Sequence, residues 1–394
     1  MRIGILTGGG DVPGLNPAIR AVTMRAIREG HEVIGLRRGW AGVTEIIREK
    51  DYDNSNNFIH LTETIVERIA RTGGTFLHSS RTRPSHMIKK DVPQHLQSIY
   101  NEDINDLTPE VIKNLEWLKI DYLIPIGGDD TLSYGAYLHN QGFKVIAIPK
   151  TMDGDVPGTD YTIGFSTCVS RTIEMTHALR TSAGSHERFL VIEVFGRYAG
   201  FSALVPAMAG AADRCVIPEY KFNIEHLCEL MSEDRRDNPS KYSVVLISEG
   251  AMFEGMEMIF KDNEADAYGH KKLGGISDIV AKQLRNISPK FNNGEKVNTI
   301  IQNLGYLVRS GAPDAIDSLV PMAFGNIALN LVLEGKSGLL VNLHNGKYGN
   351  APLDVVTSFK KIVNIDEFYN TERLCPKYKN FEEKSFFITT SEQD

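Results

Sequence analysis

Pro149-Lys150-Thr151-Met152-Asp153-Gly154-Asp155 leaves an apolar β-type run, Lys144-Val145-Ile146-Ala147-Ile148, and its reading decides the fold. A turn of the same build lies upstream, where Tyr122-Leu123-Ile124-Pro125-Ile126 runs into Gly127-Gly128-Asp129-Asp130-Thr131. Short apolar strands that end in such turns and alternate with helical patterns are the repeating unit of an α/β fold with a mainly parallel sheet. Ligands of these folds bind beyond the carboxyl ends of the strands, where both turns fall.

The residue types fit phosphate chemistry. Lys150 supplies a point charge, Thr151 a hydroxyl donor, and Asp153 a carboxylate able to take a proton from an alcohol. Glycine lets backbone amides approach a phosphate closely. Two adjacent acids in the Gly127–Thr131 turn would repel that phosphate unless one held Mg²⁺. The plainer alternative is a solvated helix start, where aspartate is favoured anyway, and GGDG-like turns also occur in NAD-kinase and lipid-kinase families. A third turn, Gly8-Gly9-Gly10-Asp11-Val12-Pro13-Gly14, follows the strand pattern of residues 2–7. It is either a phosphate loop at a helix start or a tight connection. Pro13 at its sixth position departs from the dinucleotide fingerprint, which argues against a nicotinamide cofactor.

Working outward, Asn16 is the expected cap and Pro17 the first residue of a helix ending at Gly30, followed by a strand over 33–36. Helices are expected over 109–119, 131–140, 166–182, 198–211 and 313–335, with strands over 188–195, 215–217, 242–248, 298–305 and 338–343. Polar, glycine-containing stretches at 51–57, 232–240 and 253–272 read as irregular. Arginines recur at similar strand ends: Arg81, Arg188, Arg197 and Arg309. Each alone reads as a surface ion pair, and together they read as a polyanion site.

A chain of 394 residues exceeds one simple core, and two domains are expected. The net charge of −7 argues against a nucleic-acid partner. Cys168, Cys215, Cys228 and Cys375 lie far apart, as thiols of a reducing compartment do. The N-terminus enters a strand directly, and no unbroken apolar run reaches membrane-spanning length. The expectation is a cytoplasmic protein with no membrane partner.

The turns occur in the order and spacing of the phosphofructokinase family, which this chain resembles over roughly residues 2–345. Gly158-Thr159-Asp160-Tyr161-Thr162-Ile163-Gly164-Phe165 is similar to the family's run almost letter for letter, as are Gly196-Arg197-Tyr198-Ala199-Gly200 and Ser248-Glu249. The resemblance implies two Rossmann-like three-layer α/β domains with mainly parallel sheets and the active site in the cleft between them. The expected boundaries are 1–164 with about 318–350 for the phosphoryl donor, and 165–317 with part of the C-terminal segment for the sugar phosphate.

The resemblance also implies roles. Asp153 would deprotonate the C1 hydroxyl of fructose 6-phosphate, with Thr151 and Asp155 beside it. Arg81 and Lys150 would stabilise the phosphoryl group in flight, and Asp129 would organise Mg²⁺. Gly9, Gly10, Gly128, Asp130 and Lys150 would hold the donor. Phe195, Gly196, Arg197 and Glu249 would contact the sugar phosphate, and Arg188 and Arg309 would be lent across the interface of a homodimer or homotetramer.

Asp130 and Lys150 stand where ATP-using members carry glycine, which resembles the pyrophosphate-dependent members. Aspartate there adds charge against a nucleotide's α-phosphate, a repulsive element. Ser318 stands where members have an arginine for the sugar's 6-phosphate. Arg309-Ser310-Gly311 and Asp153-Gly154-Asp155 replace Arg-Gly-Gly and Asp-Asn-Asp. Arg20 and Met24 keep half of an effector pair, which points away from nucleotide or phosphoenolpyruvate regulation. Three alternatives stay open: ATP as donor, another ketose phosphate such as sedoheptulose 7-phosphate as acceptor, and a non-catalytic metabolite-binding paralogue. Residues 346–394 carry no readable motif.

Overall fold

The structure is a computed structural model that describes residues 1–265, 269 and 271–379. A seven-stranded sheet runs in the order Lys347–Pro352, Leu339–His344, Ile146–Pro149, Tyr122–Gly127, Arg2–Thr7, Glu32–Leu36, Phe58–His60. Its five inner strands are parallel and only the two edge strands pair antiparallel. Ile3, Ile5, Ile124, Ile126, Ile146 and Ile148 are fully buried. That is why these strands read as unbroken apolar runs: helices cover both faces of a parallel sheet.

A second, all-parallel sheet has the order Thr299–Asn303, Phe189–Val194, Ser243–Ser248, Arg214–Val216. Glu193 is buried within it and satisfied: it accepts from the Gly275 amide at 3.1 Å, the Ser277 amide at 3.0 Å and the Ser277 hydroxyl at 2.8 Å. The carboxylate thereby caps the helix Ile276–Ile287.

The helix Ile316–Leu333 is long and apolar enough to cross a membrane by length and composition, although half of it is buried inside the protein. Gly325 explains its place. A Cβ there would meet Ala21 Cβ at 2.8 Å and the Ala18 carbonyl at 3.2 Å, so glycine lets this helix lie directly on Leu15–Arg28.

Asp317 on the same helix, fully buried, joins it to the site. It accepts from the Tyr161 hydroxyl at 2.5 Å, the Gly164 amide at 2.7 Å, the Thr167 amide at 2.8 Å and the Thr167 hydroxyl at 2.6 Å. Helix Phe165–Ser185 has a glycine at its start and no side-chain cap of its own, so Asp317 satisfies its first amides from a distant segment.

Three local expectations change. Asn16 does not cap the first helix, which starts at Leu15 behind Gly14 at φ +112°. Its side chain instead bonds the Thr72 hydroxyl at 2.9 Å and the Phe76 amide at 2.8 Å, tying the helix to the loop that leads to Arg81. Most of 232–240 is not irregular, because helix Ile224–Asp237, capped by Asn223, runs through it. Within 253–272 the backbone pairs as Phe260–Ala265 with Lys271–Leu273, and residues 266–268 and 270 lie outside the described residues.

Candidate active site

The three turns meet because their strands are neighbours. Gly8 donates to the Ile126 carbonyl at 3.0 Å, and Lys150 donates its amide to the Gly127 carbonyl at 2.8 Å. Gly9 sits at φ +75° and donates to the Ser80 carbonyl at 3.0 Å, which brings in the loop of Arg81. Lys150 reaches back over the Gly127 turn, and its Nζ donates to the Gly10 carbonyl at 2.7 Å. It is buried, and burial first, then Arg309 and Arg81, pushes its pKa down to about 8 against the pull of Asp11 and Asp129.

The carboxylates line the same cleft. Asp153 Oδ1 is buried and, among the described residues, has no hydrogen-bond partner. Burial, then the charges of Asp155 and Glu249, holds Asp153 well above the usual carboxylate range, against the Arg197 guanidinium. Burial and Asp129 raise Asp155 to about 6, while Lys361 and a bond from Thr151 oppose them. The loop is held from below: the Thr162 hydroxyl donates to the Thr151 carbonyl at 2.6 Å, and the Asp153 amide donates to Thr151 Oγ1 at 3.2 Å. Gly154, at φ +72°, would place a Cβ 3.3 Å from the Phe165 ring, so a side chain there strains the turn and crowds the helix start.

Among the described residues no three His, Cys, Asp or Glu side chains are placed to hold a metal ion by themselves. This suits Mg²⁺, which keeps several waters and binds through one or two carboxylates plus substrate phosphates. Asp129 is exposed and lines the cleft with Asp153 and Asp155, and its charge adds to the crowding that raises both. The residues fit a cation shared with a phosphate ligand.

The opposite wall belongs to the four-stranded sheet. The Glu249 amide donates to the Val194 carbonyl at 2.9 Å and the Gly250 amide to the Gly196 carbonyl at 3.1 Å, so the turns carrying Arg197 and Glu249 stand side by side. Gly196, at φ +119°, would put a Cβ 2.8 Å from the Ala199 carbonyl and 3.0 Å from both Ser202 Oγ and Ser248 Oγ. Only glycine fits there.

One cleft thus collects Gly9, Gly10, Arg81, Gly128, Asp129, Asp130, Lys150, Thr151, Asp153, Asp155, Arg197 and Arg309. Phe195 lies behind it, 5.9 Å under the Arg309 guanidinium. Arg188 is elsewhere. It immediately precedes strand Phe189–Val194, whereas Arg197 follows it, which separates them by about 20 Å of strand rise. The expectation that the four arginines share one kind of strand end is therefore corrected. Arg309, by contrast with Arg188, is buried in its own chain's cleft and ion-paired to Asp11. Ser318 turns back on its helix and donates to the Asp314 carbonyl at 2.6 Å.

Sequence reading assigned no role to Asp11, Met152 or Tyr198, which also line the cleft. Asp11 had a usable signal in its place after three glycines at a strand end.

A family model described as Phosphofructokinase matches residues 2–332. The chain belongs to the phosphofructokinase family. It is 37% identical to the pyrophosphate--fructose 6-phosphate 1-phosphotransferase of Dictyoglomus thermophilum, covering 94% of this chain and 97% of that one. It is also 35% identical to ATP-dependent 6-phosphofructokinase 3 of Streptomyces coelicolor, over 92% and 96% of the two chains. Overall similarity therefore does not separate the two donors. The solved pyrophosphate-dependent phosphofructokinase of Nitrosospira multiformis superposes with a TM-score of 0.73 at 18% identity, covering 95% of this chain and 89% of that one, a likeness of fold. Against the longer phosphofructokinase chain of Pichia pastoris, at a TM-score of 0.72 and 25% identity, this chain aligns over 90% of itself and spans 35% of that chain.

Proposed function

We propose that this chain reversibly transfers a phosphoryl group from pyrophosphate to the C1 hydroxyl of fructose 6-phosphate, giving fructose 1,6-bisphosphate, with Mg²⁺ as cofactor. The supporting observation is the buried Lys150 ammonium in the floor of the donor cleft beside Asp130. A compact polyanion gains a cation there, and a nucleotide meets an added carboxylate.

Phosphoryl transfer is mainly positioning and charge neutralisation, and each residue then has a task. The glycine turns offer amides to the donor. Lys150 and Arg81 take up charge on the moving group, and Asp153, with one oxygen unpartnered, accepts the C1 proton. Bound Mg²⁺ would neutralise donor oxygens from Asp129. Arg197, Glu249, Phe195 and Gly196 orient the sugar phosphate with Thr151 and Asp155. Arg188, at the far end of its strand, serves the site of a second subunit, so the working form is a homodimer or homotetramer. The donor lobe is residues 1–164 with about 318–350 and the acceptor lobe 165–317, acting in the cytoplasm in glycolysis or gluconeogenesis.

Ser318, bonded to the Asp314 carbonyl, supports a second acceptor reading, because a serine there brings no charge to a 6-phosphate. Another ketose phosphate such as sedoheptulose 7-phosphate fits the same chemistry. Incubation with Mg²⁺, either sugar phosphate and either pyrophosphate or ATP decides both points. Turnover with pyrophosphate and little with ATP is the expected result; faster turnover with ATP would overturn the donor assignment.

A further inference from the structure

The backbone groups of the Gly8-Gly9-Gly10 turn are unequally used. The Gly8 amide donates to the Ile126 carbonyl at 3.0 Å and the Gly9 amide to the Ser80 carbonyl at 3.0 Å. The Gly10 carbonyl accepts from Lys150 Nζ at 2.7 Å, and the Gly9 carbonyl accepts from the Ser79 hydroxyl at 2.5 Å. The Gly10 amide is different: among the described residues it makes no hydrogen bond, and Gly10 lines the cleft.

The Gly9 carbonyl and the Gly10 amide belong to one peptide. A peptide is planar and trans, so its C=O and N–H point in opposite directions. By holding the carbonyl, Ser79 turns the amide to the other side of the turn. Glycine on both sides of that peptide offers little steric resistance to a flip, and Gly9 already sits at φ +75°. A flipped peptide would show a phosphate a carbonyl oxygen instead of an N–H and repel it. Ser79 is itself held from both sides. His78, before it, sits at φ +59° with its carbonyl accepting from the Thr7 hydroxyl at 2.8 Å. Ser80, after it, gives its carbonyl to the Gly9 amide. Left-handed backbone is uncommon outside glycine, so the bend at His78 is one that its surroundings impose.

We propose that Ser79 is a positioning residue for the phosphoryl donor: its hydroxyl fixes the Gly9–Gly10 peptide so that the Gly10 amide is presented to a donor phosphate. This rests on the phosphotransferase reading of the cleft and holds for either donor.

Ser79→Ala removes that bond and no side chain that lines the cleft. With the donor that the wild type uses, the donor KM should rise about 10-fold, the lower end of what losing a hydrogen bond to a charged group costs. The sugar-phosphate KM, and kcat at saturating donor, should stay near wild type, as for a loss confined to donor binding. Ser79→Thr keeps the hydroxyl and should keep the wild-type donor KM. Ser80→Ala is the control for the loop itself, because that hydroxyl holds the loop through the Ala41 amide at 3.3 Å rather than through the glycine turn. Its donor KM should also match the wild type. Thermal transitions report folding of each variant. Should Ser79→Ala fail to fold, Ser79→Cys replaces it: a thiol is a weaker donor, so a donor KM equal to that of Ser79→Thr overturns the proposal. A wild-type donor KM in Ser79→Ala, an equal rise in both KM values, no recovery in Ser79→Thr, or the same loss in Ser80→Ala overturns it while leaving the proposed function standing. A wild type that transfers from neither donor removes both.

Discussion

The two walls of the cleft are built differently. The donor wall is three strand-end turns of one parallel sheet, and Lys150 closes it through a bond to the Gly10 carbonyl. Its cations come from one chain: Lys150 from those turns, Arg81 from the loop bonded to Gly9, and Arg309 from the segment after strand Thr299–Asn303 of the second sheet. The acceptor wall has Arg197 and Glu249 at paired strand ends, a serine at 318 that bonds its own helix, and Arg188 at the opposite end of a strand. The three turns come together as their sheet forms, whereas Arg309 joins them only when the second sheet packs against the first. In the proposed reading the acceptor wall takes Arg188 from a second subunit and so depends on assembly.

The largest effect expected at the junction of the two walls is that of Asp153→Ser. Turnover should fall by about 10²–10⁴-fold, the range for losing a general base, while sugar-phosphate affinity changes less. Steady-state kinetics on folded variant checks this, and wild-type turnover would remove Asp153 from the mechanism.

Arg188 tests the dependence of the acceptor wall on assembly. Arg188→Ala should raise the sugar-phosphate KM by about 10- to 100-fold, the worth of a hydrogen bond to a charged group, and leave the pyrophosphate KM nearly unchanged. Mixing inactive Asp153→Ser with Arg188→Ala subunits should restore some activity, because one hybrid site can hold both wild-type residues. Proven subunit exchange with no recovery, or a fully active monomer in sedimentation, would make both walls self-sufficient.

The mildest test is pH. Activity of the free enzyme needs the carboxylates ionised, and Asp155 is raised to about 6 with Asp153 also raised, so kcat/KM for pyrophosphate should climb through that range. Lys150 must stay protonated, and its pKa is lowered to about 8, so the same quantity should fall above that value. Each limb is worth up to about tenfold per pH unit. A profile flat across both values would show that neither group controls the free enzyme.

Much of the donor wall was legible because its residues are contiguous with strand patterns. Gly127-Gly128-Asp129-Asp130 and Lys150 to Asp155 follow runs whose apolar content already places them at strand ends. Asn16 was misread because a side chain can serve its own helix or a loop sixty residues on, and spacing alone does not choose between them. Lys361 was invisible for the same reason: nothing near 361 in the chain tells that its ammonium will be buried on the Thr159 carbonyl.

By itself, the sequence determined the α/β alternation, the strand-end turns and the side chains that serve phosphate, because periodicity and turn chemistry act over a few residues. Tertiary structure alone decided which arginines share a cleft, which carboxylates crowd one another, and that Lys361 and Val363 of the C-terminal segment bond Thr159 and Glu219. Those depend on contacts between segments up to three hundred residues apart, such as the Arg309–Asp11 pair, which form only when the sheets are packed.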